Sequence, residues 1–179
     1  MKRNLIRHMA GAVMVVLVAG TMLVGCDGKQ AGDASMKFVN VEKVLVDSGL
    51  LKQEQDHLKA VNQSLQNGQH LAEKSYANLP ANKVDTARNA DRNILAQQWK
   101  GQQQAARNVV MAALKNATDS YRTENKIGVI LPTQVAMSVA PELDVSAELT
   151  EKLKTAKLEF AKVPDITVKA IQAEKPAAK

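Results

Sequence analysis

A leucine-rich stripe with a seven-residue period constrains the fold of this chain most. Its members are Leu51, Leu58, Leu65, Ala72 and Leu79. The residues between them are mostly polar, and Glu54 and Gly68 interrupt the companion stripe that Val61 would otherwise continue. Because residues seven apart share one face of an α-helix, the stripe predicts a long helix with a narrow apolar seam. Pro80 lacks a backbone donor and is expected to end this helix.

A second long helix is predicted after Pro80, and its apolar repeat is eleven residues. Leu95, Ala106 and Ala117 form one row, and Trp99, Val110 and Tyr121 form another. An eleven-residue repeat drifts in the opposite sense from a heptad, so this helix should not supercoil like an ordinary left-handed pair. A short Pro-containing turn joins the two helices into an antiparallel hairpin. We predict an arm over residues 48–125, with legs of roughly 45 and 60 Å at ~1.5 Å per residue.

Shorter β-rich segments flank the predicted arm. Residues 37–41 alternate apolar and polar side chains, and residues 127–131 and 135–139 are rich in Val and Ile, which predicts three short strands. The connection at 132–134 is short enough for a hairpin-like return. A last helix is predicted from Asp144, and the chain from residue 161 to residue 179 is predicted to be disordered.

The N-terminal segment has the layout of an export signal. Lys2, Arg3 and Arg7 precede a short apolar run, and Leu23-Val24-Gly25-Cys26 closes it. This ending resembles the lipobox of bacterial lipoproteins, which implies a signal peptide over 1–25, lipidation of Cys26 and a flexible tether over 26–36. The alternative is an N-terminal membrane helix with a chance cysteine, although the apolar run is shorter than the roughly 20 residues that a span needs.

The residue after the cysteine carries a sorting prediction. Asp27 resembles the signal that retains enterobacterial lipoproteins in the inner membrane, whereas any small polar residue would suit a tether. The predicted location is therefore the cell envelope, facing the periplasm, with the inner membrane favoured over the outer membrane.

Composition argues against several functional classes. Residues 1–25 hold three basic and no acidic residues, so their removal lowers the formal net charge from +6 to about +3, and no basic run with interleaved aromatic residues remains for nucleic acid. The sequence contains no phosphate-binding loop or catalytic triad pattern, and an acylated Cys26 could not serve as a nucleophile. His57 and His70 lack metal-ligand spacing and are interpreted as solvated. We predict neither enzymatic activity nor a cofactor or metal.

The order of elements resembles the Skp/OmpH family of periplasmic chaperones. The resemblance runs from Lys37 to Leu153 and lies in short motifs at both ends of the arm. These motifs are residues 38–45 followed by Ser48, then residues 127–131, 135–139 and 144–149. It implies an α+β fold with a small β-rich oligomerisation body (37–47 and 126–160) and a long antiparallel helical hairpin arm.

The resemblance also implies a function and an assembly. Family members are homotrimers whose arms enclose unfolded outer-membrane or other exported proteins without ATP. For this chain it implies a holdase chaperone, which the lipid anchor predicted from the lipobox would hold at the membrane. An alternative function is a lipid-anchored coiled-coil scaffold that recognises one folded envelope partner. Alternatives to the trimer are a monomeric coiled-coil spacer and a dimer zipped along Leu51, Leu58, Leu65 and Leu79. The low aromatic content of 3% favours oligomerisation, because it leaves one chain with a thin core.

Overall fold

Helices account for most of the part of the chain that the computed structural model describes, residues 35–167. The helices are α1 (Val41–Asp47), α2 (Leu50–Ser75), α3 (Ala81–Glu124) and α4 (Ser146–Leu153). The strands are β1 (Met36–Val39) and β2 (Val129–Pro132). Short 3₁₀ helices lie at Tyr76–Asn78, Thr133–Val135 and Pro141–Leu143. The predicted signal peptide, most of the tether, and residues 168–179 lie outside the described residues.

The helical hairpin follows the sequence prediction closely. α2 has 26 residues and α3 has 44, which corresponds to roughly 39 and 66 Å. The legs are joined through the 3₁₀ turn at Tyr76–Asn78 and Pro80, which directly precedes α3. α3 is the longer leg because its last turns, including Leu114, continue into the core of the body.

Both legs bury an eleven-residue pattern. On α3 the half-buried or buried rows include Leu95, Ala106 and Ala117, and Trp99, Val110 and Tyr121, as predicted. On α2 the corresponding rows are Leu50, Val61 and Ala72, then Glu54, Leu65 and Tyr76, then His57, Gly68 and Leu79. The seven-residue stripe is fully buried only at Leu65 and Ala72. Two helices that share an eleven-residue period can stay in contact without a left-handed supercoil, which explains why α2 does not follow its heptad.

The sheet is smaller than the sequence suggested. It contains two parallel strands, with Met36 opposite Val129 and Val39 opposite Pro132. The predicted strand at 135–139 and its hairpin return are wrong: Thr133–Val135 forms a 3₁₀ helix and no strand follows it. The other edge of β1 is occupied, because Phe38 bridges to Asp144 and accepts a hydrogen bond from Val145 N at 2.9 Å. Pro132-Thr133-Gln134 also lacks the Gly or Asn that tight hairpins use.

The body core lies where α1 and α4 meet the N-terminal end of α2 and the C-terminal part of α3. Val44, Leu50, Val110 and Leu149 have no exposed surface there. Truncating a fully buried leucine of this kind costs about 2–5 kcal/mol, so these few residues supply much of the body's stability. Gly49 makes the junction possible, since its φ of 81° turns the chain between α1 and α2.

A buried polar chain fixes the start of α4 against β1. The hydroxyl of Ser146, which is 2% exposed, accepts a hydrogen bond from Asn40 N at 2.7 Å and donates one to the Asp144 carboxylate. Asn40 in turn caps α1 by accepting a hydrogen bond from Lys43 N at 3.0 Å. The start of α1 is therefore coupled to the start of α4.

We expect Ser146→Ala to destabilise the fold by about 1–3 kcal/mol, because it leaves Asn40 N without its acceptor. Urea unfolding followed by circular dichroism measures this change, and Ser138→Ala, at an exposed position, serves as the matched control. Equal stability of the two variants would contradict the role given to Ser146.

Candidate functional site

The predicted lipidation and sorting residues, Cys26 and Asp27, lie outside residues 35–167 and stay predictions. The candidate site is therefore sought on the arm and the body. Three features stand out there: an extended segment bound along α2, an open groove near the tip of the hairpin, and exposed apolar side chains on the body.

Residues 156–167, here called the strap, extend along α2 after α4 ends. The strap contains no regular secondary structure, and its contacts with α2 progress from the body towards the tip. Phe160 stacks on His57 with ring centroids 4.6 Å apart and an interplanar angle of 9°. The prediction of a disordered tail from residue 161 therefore fails for residues 161–167. His57, interpreted from the sequence as solvated, is half-buried beneath this ring.

Side chains of α2 hold the strap by its backbone. The amide of Gln53 donates to Ala156 O at 2.9 Å and accepts from Leu158 N at 2.9 Å, so it pairs with the strap as a peptide group would. Further along, the Ser64 hydroxyl donates to Pro164 O. These hydrogen bonds involve only main-chain atoms of the strap and are independent of its side chains.

Gly68 allows the far end of the strap to approach α2 closely. A Cβ built at this position would lie within 2.6 Å of Ile166 Cβ and would overlap other atoms of that side chain. Gly101 on α3 meets nothing within 4 Å of its own Cβ position. The glycine that interrupts the apolar pattern of α2 is thus a point of close approach between the strap and the helix.

An open groove of about 500 Å³ continues from the end of the strap towards the tip of the hairpin. Its walls come from both legs, and Asp165, Ile166 and Thr167 of the strap close one end. Ile94 lines the groove with 56% of its surface exposed, and Leu95 and Tyr76 contribute further apolar surface. The groove can therefore accept apolar groups while remaining open to water.

Polar contacts beside the groove fasten the tip. Tyr76, which is buried, donates a hydrogen bond to the Asp91 carboxylate at 2.6 Å. Arg88 forms a two-pronged contact with Glu73, with both N–O distances 3.1 Å, and its guanidinium lies 5.5 Å from the centroid of the Tyr76 ring. Arg88 lowers the pKa of the Glu73 carboxyl below its ordinary value, chiefly through this hydrogen bond. The two legs are thus linked at the tip by charge as well as by packing.

A buried acid sits within the seam of the arm. Glu54 is 2% exposed and forms an ion pair with Arg107 at 3.1 Å. Its second oxygen, Oε2, and Oε1 of Gln102 have no hydrogen-bond partner in the described part of the protein. A buried polar atom without a partner costs about 1–3 kcal/mol, so these two atoms lower the stability of this stretch of the seam.

The body exposes apolar side chains next to β2. Met137 is fully exposed and Val135 is 67% exposed. β2 pairs with β1 on one side, and its other edge has no strand partner among the described residues. An unpaired edge beside exposed apolar groups is typical of a surface that another chain covers.

Two kinds of site are not found in the part of the chain that the structure describes. Among residues 35–167 no group of three or more His, Cys, Asp or Glu is placed to hold a metal ion. No helix in that range combines the length and apolarity needed to cross a bilayer.

Sequence reasoning missed the strap and the tip groove. The available signal in the sequence was the alternation of Ala156, Leu158 and Phe160 with charged neighbours. It was overlooked because these residues directly follow the predicted last helix.

Trp99 lies half-buried in the seam near Leu58, on a different side of α2 from Gln53, Ser64 and Gly68.

Comparison with known proteins yields little. No protein-family model matches the chain, and no curated protein matches it. A crystal structure of "a putative outer membrane chaperone (OmpH-like)" from Caulobacter crescentus CB15 is similar over 73% of this chain and 92% of its own, with 15% identity and a TM-score of 0.34.

The phenol of Tyr76 provides a test of the tip geometry. Burial, with the hydrogen bond to Asp91 as the second cause, raises its pKa to about 12. Because the folded state holds the proton more tightly than the unfolded state, whose tyrosine pKa is about 10, the stabilisation is present below pH ~10. It is lost as the pH rises from ~10 through ~12.

We expect ultraviolet titration near 295 nm to show this late ionisation, and Tyr76→Phe to remove it. Asp91→Asn should lower the pKa of Tyr76 but leave it above the ordinary value, because burial is the larger cause. Tyr121, whose pKa burial also raises, serves as the internal reference. An ionisation of Tyr76 near pH 10 would contradict the described tip.

Proposed function

We propose that this protein is a membrane-anchored, ATP-independent holdase of the bacterial periplasm that binds unfolded exported proteins, outer-membrane proteins among them. The proposal joins the resemblance in element order to the surface of the arm. It requires no catalytic centre, since binding alone keeps an unfolded chain from aggregating.

The observation that carries the proposal is the distribution of exposed apolar groups along the arm. Leu71, Ile94 and Met111 are 45%, 56% and 41% exposed, and they lie at separate positions along α2 and α3. An unfolded polypeptide offers many short apolar stretches and no fixed shape. Separate apolar contacts along a polar arm suit such a ligand better than one deep pocket, because each contact is weak and exchangeable.

Suppression of aggregation tests the proposal. A urea-denatured outer-membrane barrel is diluted into buffer with the purified protein, and light scattering is followed. We expect scattering to fall at about one assembly per barrel. The combined variant Leu71→Glu, Ile94→Glu, Met111→Glu should lose most of this effect because three apolar contacts are replaced by charge.

The matched control adds the same charge at exposed polar positions of the arm, as Gln66→Glu, Gln97→Glu and Gln104→Glu. Equal loss of activity in both variants would point to net charge instead of apolar contact. Unchanged scattering with the wild-type protein, together with capture of one folded envelope protein, would favour the scaffold alternative.

The anchor is proposed at Cys26, with Asp27 directing retention in the inner membrane. Acyl chains contribute ~0.8 kcal/mol per buried methylene, so several chains hold a protein stably at a bilayer. We expect labelled palmitate to enter the wild-type protein and not Cys26→Ser. Asp27→Ser should move the protein towards the outer membrane on density gradients, and an unchanged distribution would refute the sorting role.

A homotrimer is proposed, with the exposed surface beside β2 as its interface. Val135→Asp with Met137→Asp should convert trimer to monomer in light-scattering measurements, since both side chains are exposed in the single chain and would be buried between chains. Leu71→Asp with Ile94→Asp, exposed on the arm, should leave the trimer intact. A dimer that dissociates only with Leu58→Asp would support the zipped alternative instead.

A further inference from the structure

The strap occupies α2 in the manner of a bound peptide. It runs along one face of the helix from Gln53 to Gly68, and the side chain of Gln53 and the hydroxyl of Ser64 bond to its main chain. Because these hydrogen bonds do not involve strap side chains, the same groups can hold another extended chain.

The side chains of the strap follow a two-residue alternation. Ala156, Leu158 and Phe160 are half-buried, while Lys157 and Glu159 between them are exposed. The alternation is interrupted at residues 161–163, where Lys162 is exposed and Val163 is half-buried, and it resumes in the same register with Pro164 and Ile166 half-buried and Asp165 exposed. An extended chain presents alternate side chains to opposite sides. The surface of α2 therefore accepts apolar groups at every second position of an extended ligand.

The outer half of the strap is held less firmly than its start. Leu153 is buried in the body core, and Leu158 and Phe160 pack against that core. Residues 161–167 lie beyond the core and contact the arm through Pro164 and Ile166. Their side chains are at most half-buried, so this half can leave the surface while the body stays folded.

We infer that the strap is a built-in competitor for a peptide-binding surface on α2, which takes extended polypeptide with apolar side chains at alternate positions. This inference rests on the proposed function, because such stretches are what an unfolded exported protein offers. The apparent association constant of the surface is then its intrinsic association constant multiplied by the fraction of time for which the strap leaves the surface free. The open groove ahead of Ile166 gives an incoming chain a place to begin displacement.

A peptide supplied in trans tests the inference. The probe is a fluorescein-labelled peptide with the sequence of residues 156–167, and its anisotropy is followed with the full-length protein in detergent. Ile166→Ser should bind the probe roughly tenfold more tightly than wild type, because it weakens the strap without altering α2. Lys162→Ser, an exposed strap position, is the control and should leave the affinity unchanged.

A second pair of changes is made in the Ile166→Ser protein, whose strap no longer presents Ile166 to α2. There Gly68→Ala places a methyl group where Ile166 of the probe packs, so it should weaken probe binding by roughly fivefold or more. Gly101→Ala in the same protein adds the same methyl group to α3 with no neighbour within 4 Å and should leave the affinity of Ile166→Ser unchanged. Both are glycine-to-alanine changes inside a helix, which keeps the effect on helix propensity comparable.

The outcomes separate this inference from the proposed function. Tighter binding by Ile166→Ser, and weaker binding once Gly68→Ala is added to it, support the inference, even if no variant suppresses aggregation, in which case the holdase function alone fails. Unchanged or weaker binding by Ile166→Ser overturns it, even if the wild-type protein is an active holdase. Equal binding of a scrambled peptide in which Leu158 and Phe160 become adjacent also overturns it.

Discussion

The eleven-residue seam between α2 and α3 is the constraint on which the arm depends. Its rows combine a few large side chains, such as Leu65 and Val110, with the small Ala106 and Ala72. Small residues bury little apolar area, so the seam alone gives modest stability. The arm is secured where its legs join the body core and where Tyr76 and Arg88 link them at the tip.

This distribution of stability also explains where ligands can bind. A seam built on small residues leaves shallow apolar surface beside it, and the strap covers one such surface on α2. Its backbone is held by Gln53 and Ser64, and Gly68 admits Ile166. The exposed Ile94 marks the next stretch of apolar surface towards the tip. The packing of the arm and the polypeptide binding that we propose thus depend on the same feature, the small residues of the seam.

Periodicity predicted the hairpin well because helix contacts are local. Residue spacing alone predicted the buried rows of α3 that contain Leu95 and Trp99, and Pro80 indicated the turn. The sheet was harder to predict, since the pairing of β1 with β2 and with Asp144 depends on partners distant in sequence. The residues at 135–139 have strand composition, but the connection at Pro132-Thr133-Gln134 lacks the residues of a tight hairpin turn, and they do not pair with the open edge of β2. The strap was missed because its order comes from contacts with α2.

We propose that the arm holds unfolded polypeptide through shallow apolar surface. Site-specific photo-crosslinking from the tip groove is the most direct test of this proposal. A photoreactive phenylalanine analogue replaces Ile94, and in a second protein it replaces Gln104, which is exposed on α3 outside the groove. We expect strong crosslinks from position 94 to a barrel protein diluted from urea. We expect these crosslinks to disappear once the barrel has folded into detergent. Equal crosslinking from both positions, or capture of the folded barrel alone, would contradict it.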